Sequence, residues 1–179
     1  MSHRGHQLLK EARKGHVRRI SALLSGGVDV NFRGKYGYTA LMEAASQGHL
    51  PAVECLLNAG ADPRICADDN APPTFYACVH GYTDVVKLLL RRGADPNAVR
   101  DCYYSRGDTR GVSQLHVAIR NGSGEIALAL IKAGANIDHI CLGKTPLAAA
   151  VERDMKEVSA RIREVDRERI RIRQKRSSV

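Results

Sequence analysis

The chain has 179 residues, no tryptophan and few aromatics, enough length for one continuous core built from Ala, Leu and Val in helical layers. No run of 18 apolar residues occurs, which excludes a transmembrane helix. The net charge of +9 is terminal: residues 1–20 and 155–179 each carry +5, residues 21–154 carry −1, unlike a DNA-binding domain with a basic stripe through its middle.

In chain order, residues 1–20 are basic but lack the apolar stretch of a secretory signal. Residues 7–14 (Gln-Leu-Leu-Lys-Glu-Ala-Arg-Lys) predict the first helix of a shortened unit, polar where an interior unit would meet a neighbour. Next comes a stretch, Gly15 to Asp29, that recurs as Gly48 to Asp62 and Gly81 to Asp95 at an interval of 33 residues. A fourth copy, Gly122 to Asn136, follows Gly81 by 41 residues, so about eight residues are inserted between them.

Within each copy the apolar residues fall at helical spacing, as in Val85, Val86, Leu88, Leu89 and Leu90, and Gly93 stops the helix in a left-handed C-cap. A shorter helical pattern precedes each copy, clearest at Thr39 to Ala45 and Thr145 to Ala150. Thr145 suits the N-cap and Pro146 the first helical position, which has no N–H to lose. A turn–helix–turn–helix unit of this size cannot enclose a core alone, so copies must stack.

These residues carry a resemblance. Gly37-Tyr-Thr39, Gly48-His49, Leu56-Leu57, Gly60-Ala-Asp62, Gly93-Ala-Asp-Pro-Asn97, Leu115-His116 and Gly143-Lys-Thr-Pro-Leu147 match the ankyrin-repeat pattern over roughly residues 5–160. The resemblance implies an all-α ankyrin-repeat solenoid, with β-turn fingers, stacked helix pairs and a longer C-terminal helix. Its divisions fall at a cap (about 5–30), repeats (about 31–63, 64–96, and 97–137 with the insertion 98–112), a second cap (about 138–160) and a basic extension (161–179). It further implies a non-catalytic protein-interaction module, a scaffold or adaptor.

The candidate contacts follow the fingers and inner helices. Arg33, Lys35, Tyr36 and Tyr38 belong to the first finger, and Glu43, Ser46 and Gln47 to the helix beside it. Residues 63–82 depart most from the pattern: Pro72-Pro73-Thr74-Phe75 replaces the capping motif, placing Pro73 at or next to the helix start, with Asp69 or Asn70 as the available cap. Asp68, Asp69, Tyr76 and His80 are read either as a drifted repeat or as an acidic, aromatic part of the groove suited to a basic peptide. The insertion contributes Arg100, Tyr103, Tyr104, Arg106 and Arg110, large amphipathic and planar cationic groups on a loop. Arg120 and Asn121 complete the set.

Other motifs have structural readings beside functional ones. The resemblance makes His116 a backbone brace between repeats, and no residue pairs with the histidines at a triad's spacing. Cys66, Cys102 and Cys141 fall in successive fingers with His139 near the last, but ligand pairs at zinc spacing are lacking, so neither metal nor cofactor is expected. Five cysteines without C-x-x-C indicate reduced thiols, hence cytoplasm or nucleus. Asn31 and Asn97 brace turns in the family and also resemble substrates of its asparaginyl hydroxylase.

Val151, Met155, Val158, Ile162, Val165 and Ile172 recur on a 4-3-4-3 spacing that predicts one long helix, interrupted on its seam by Arg169. Its end, with Arg169, Arg171, Arg173, Lys175 and Arg176, is open to three readings: a solvated tail, an arm for a partner helix or dimer, or a basic contact for nucleic acid or phosphates. The expected partner is a protein or peptide bound by a monomeric chain; the alternative is a nucleic-acid- or chromatin-associated regulator that binds through its basic termini.

Overall fold

A computed structural model describes residues 2–101 and 111–177. Five helix pairs follow one another: α1 (Ser2–Arg13) and α2 (Val17–Ser25), α3 (Ala40–Ser46) and α4 (Leu50–Asn58), α5 (Pro73–His80) and α6 (Thr83–Arg91), α7 (Gln114–Arg120) and α8 (Gly124–Lys132), and α9 (Pro146–Glu152) and α10 (Lys156–Ser177). The first helices of the pairs touch in one row and the second helices in another, so the chain is an all-α solenoid. Leu56, Leu89, Leu130 and Ile162 occupy one register of the outer row, and all four are buried. The core is this repeated layer, continued along the stack, with each unit sealing the one before it.

Local chemistry ends each helix where the period requires. Gly93 has φ +89°, a left-handed conformation that glycine enters without a Cβ clash. The Thr39, Ser113 and Thr145 hydroxyls accept the backbone N–H groups of Met42, His116 and Ala148, as N-caps do. Helix α5 differs. It begins at Pro73 without a side-chain cap. Asp69 instead accepts the N–H of Ala71 at 3.2 Å, and the Asn70 amide donates to Asp101 at 2.8 Å, so neither expected cap is used. The shifted motif places Thr74 where the other repeats carry leucine (Leu41, Leu115), and its hydroxyl is buried without a hydrogen-bond partner.

The fifth unit breaks the glycine pattern and thereby lengthens the last helix. At the turn between α9 and α10 a non-glycine residue, Asp154, takes φ 53°. Where α8 meets Gly134, α10 meets Asp166, and the helix runs on to Ser177. The single helix predicted from Val151 onward is therefore divided, because the Asp154 turn separates Val151 (52% exposed) from α10. Val158 and Ile162 dock, Val165 is half-buried, and Ile172 is 53% exposed.

Side-chain bridges lock adjacent units. Asn31 donates to the Gly60 carbonyl at 3.4 Å and accepts the Asp62 N–H at 2.9 Å; Asn97 does the same with Gly134 (3.2 Å) and Asn136 (2.6 Å). Arg64, in the same register, reaches the Gly93 carbonyl at 3.2 Å. Asp138 ends this ladder by accepting Arg169 of α10 at 2.9 Å. His116 donates from Nε2 to the Lys144 carbonyl at 3.0 Å, while its Nδ1 lies 2.8 Å from the Ser113 hydroxyl.

The fingers stand beside the inner row. Asp68 N–H donates to the Tyr36 carbonyl and Asp101 N–H to the Asp69 carbonyl, linking three successive fingers. Beside the third finger β1 (Val99–Arg100) pairs antiparallel with β2 (Val112–Ser113), with Val99 opposite Ser113.

Two outcomes are expected. Thr74→Val removes the unpartnered hydroxyl at constant shape and should stabilise the fold by about 1 kcal/mol, raising Tm by roughly 2–4 °C. Burial holds the His116 ring below the ordinary histidine value of 6.5, so the fold favours its neutral form. That contribution is complete above about pH 6.5 and is lost as pH falls below it, when the unfolded ring takes up a proton first. Tm measured against pH should decline from that point downward, and the decline should be shallower in His116→Gln.

Candidate functional site

The inner helices α1, α3 and α5, with the first finger and Arg100 of the third, line a groove of about 630 Å³. Tyr38, Phe75 and Tyr76 form its aromatic floor, with the Tyr38 and Tyr76 rings 5.2 Å apart between centroids. Tyr76 comes from the irregular repeat: the Pro72-Pro73 start brings Phe75 and Tyr76 onto the first turn of α5. On the rim Tyr36 is 63% exposed, with the Lys35 ammonium 4.6 Å from its ring centroid. Its φ of 59° is the left-handed region, which a tyrosine enters at a cost on the order of 1 kcal/mol. The Asp68 N–H on the Tyr36 carbonyl holds that conformation.

Glu43 lies on the α3 side of the groove, its side chain 19% exposed. Burial raises its pKa, and the Arg13 guanidinium 3.9 Å away opposes the shift. The carboxyl is therefore a half-desolvated acceptor with one weak partner. Burial likewise pushes the Tyr76 hydroxyl far above its usual range, so it acts as a neutral donor, placed 3.3 Å from Asp69.

The remaining predicted residues sort by what they already hold. Arg33 donates to the Cys66 carbonyl at 3.0 Å and to Asp68 at 3.2 Å, tying the first finger to the second. Arg100 donates from Nε to Asp69 at 2.7 Å and covers the Phe75 ring. Asp68 and Asp69 thus have intramolecular partners. His80 is exposed at the end of α5 and lines the groove with Gln47 and Ser46.

Asn121 donates to the Val79 carbonyl at 2.9 Å, which makes it a brace between helix pairs. Arg120 faces a separate cavity of about 500 Å³ with His116, Leu142 and Lys144. Tyr103, Tyr104, Arg106, Arg110 and Cys102 lie outside the described residues. On α10, Arg169 is held by Asp138, while Arg171 and Arg176 are exposed.

His6, Leu9, Arg13 and Val79 also line the groove and were missed from sequence. The signal for Arg13 and Val79 was the period itself, since each lies 33 residues from Ser46. The Ser113–His116 pair has the distance of a nucleophile and base. Both are buried, however, the serine caps a helix, and the second ring nitrogen is bound to a carbonyl, so the pair is architectural. Among the described residues no group of three or more His, Cys, Asp or Glu could hold a metal ion, and no helix is long and apolar enough to cross a membrane.

Residues 8–100 match a family model described as ankyrin repeats in three copies, and residues 75–131 match another described as ankyrin repeats in many copies. Comparison with curated proteins gives no match. Ankyrin repeats are generally protein–protein interaction modules and typically non-catalytic. With matches over more than half its length, a period of 33 residues and helix pairs stacked beside linked fingers, the chain belongs to the ankyrin-repeat family.

Proposed function

We propose that the chain is a scaffold or adaptor that grips a partner protein or peptide in the groove that its first finger, Arg100 and helices α1, α3 and α5 line. The observation that carries this reading is Tyr36, displayed at 63% exposure by a strained backbone above an aromatic floor. Aromatic side chains of low rotamer entropy beside a desolvated floor are the usual anchors of protein interfaces. Lys35, Glu43, Gln47 and His80 supply polar contacts around that anchor. The groove is largely set before binding, because Arg33 with Asp68 and Arg100 with Asp69 fix finger to finger.

Binding to nucleic acid through the basic ends is the competing reading. Within that set Arg169 already has an intramolecular partner, Asp138 at 2.9 Å. Phosphate contacts would also make affinity fall steeply with salt, whereas an aromatic groove is far less sensitive.

The test is capture of partners from nuclease-treated lysate by the wild-type chain and by Tyr36→Ala, followed by affinity measurement for the captured protein. The expected result is a loss of about tenfold or more in affinity with Tm unchanged within roughly 1 °C. Equal affinity in the variant, or capture abolished by nuclease, would overturn the proposal.

A further inference from the structure

The outer helix row carries a second groove that owes nothing to the fingers. It lies between α6 and α8, measures about 550 Å³, and has an apolar lining of Leu90, Leu128, Ala129 and Ala133. The reason it exists is readable by register. In the preceding junction, between α4 and α6, the positions of Ala129 and Ala133 are taken by Leu88, which is buried, and Arg92, whose guanidinium donates to Asn58 at 3.0 Å. In the following junction the Ala129 position is taken by Arg161, ion-paired with Glu164. Two alanines thus leave an apolar space open at α6/α8 where Leu88 and Arg92 fill the α4/α6 junction, whereas the groove of about 580 Å³ between α8 and α10 is lined mainly by charged side chains such as Arg161, Glu164, Arg167 and Glu168.

Charge identifies what the groove accepts. Lys87 and Glu125 neutralise each other at 2.9 Å. Arg91 and Lys132, both exposed on the rim, have no hydrogen-bond or ion-pair partner among the described residues. The groove therefore presents an apolar floor under two uncompensated cations. Helix α6 is nine residues long, about 13 Å at the helical rise, which matches two to three turns of a bound helix.

We propose that the α6/α8 groove docks an amphipathic helix whose apolar stripe is flanked by acidic residues. Side chains at i, i+4 and i+7 of that helix rest on Leu90 and Leu128, with Ala129 and Ala133 allowing its backbone close. Its carboxylates pair with Arg91 and Lys132 and exclude helices with basic flanks. This surface is independent of the finger groove, and a chain using both would join two proteins.

The test uses the full chain and two labelled helical peptides of about 16 residues with the same leucine stripe, one flanked by glutamate and one by lysine, read by fluorescence anisotropy. The glutamate peptide should bind about tenfold or more tightly than the lysine peptide. Ala129→Leu should weaken both by a similar factor, and the surface pair Arg91→Glu with Lys132→Glu should reverse the preference without touching the core. Equal affinity for the two peptides, absence of binding by the glutamate peptide, or indifference to both sets of substitutions would each overturn the proposal. Self-association of the chain that is abolished by Leu128→Glu would assign the groove to a second copy and overturn it as well.

Discussion

A helix pair of about 33 residues has one apolar side too many: whatever it buries against its own partner, another side still faces outward. The whole structure depends on the next unit covering that side. Leucine layers supply the area, through Leu56, Leu89, Leu130 and Ile162 in turn, and directional bonds supply the spacing. Asn31, Arg64 and Asn97 each reach one unit forward to a glycine carbonyl, so the interval between turns is measured by side chains as well as by packing. Where the series ends, Asp138 has no further turn to meet and instead receives Arg169 from the overlong α10. The last helix closes the ladder that the first units opened.

Both proposed surfaces follow from that linear order. Because the units advance in one direction, finger residues about one repeat apart in sequence meet, and the charges of Arg33 and Asp68 and of Arg100 and Asp69 cancel in pairs across the finger layer. What stands outside these finger pairs is therefore informative. In the finger groove it is an aromatic rim residue held at positive φ and a half-buried carboxyl; on the outer row it is two cations above an apolar floor. The same stacking that rigidifies the scaffold keeps both surfaces formed in the absence of a partner, which lowers the ordering cost of binding.

Much of this was legible before any coordinates. The recurrence of Gly48, Gly81 and Gly122 with their leucines defines the pairs, and Thr39, Ser113 and Thr145 mark helix starts by the chemistry of a capping hydroxyl. His116 and the two asparagines act as the family resemblance implied. Lys35, Tyr36, Tyr38 and His80 do meet in one groove. The pairings of Arg33 with Asp68 and Arg100 with Asp69 were not legible, because charge along the chain does not say which neighbour a finger will face. The same holds for Asp69 and Asn70, which bond to Ala71 and Asp101 and leave α5 uncapped, although its start at Pro73 was legible, and for the turn at Asp154, where a periodic apolar pattern ran across a break that glycine did not mark. Arg169 broke an expected seam for a reason outside that seam, its bond to Asp138.

The central claim is that the finger groove is where a partner sits, and amide hydrogen exchange of the chain with and without its captured partner tests it most directly. The account predicts new protection at residues 35–47 and 73–80, the first finger and the inner helices that line the groove. Protection confined to 156–176, with those segments unchanged, would contradict it and move the binding surface to the C-terminal helix.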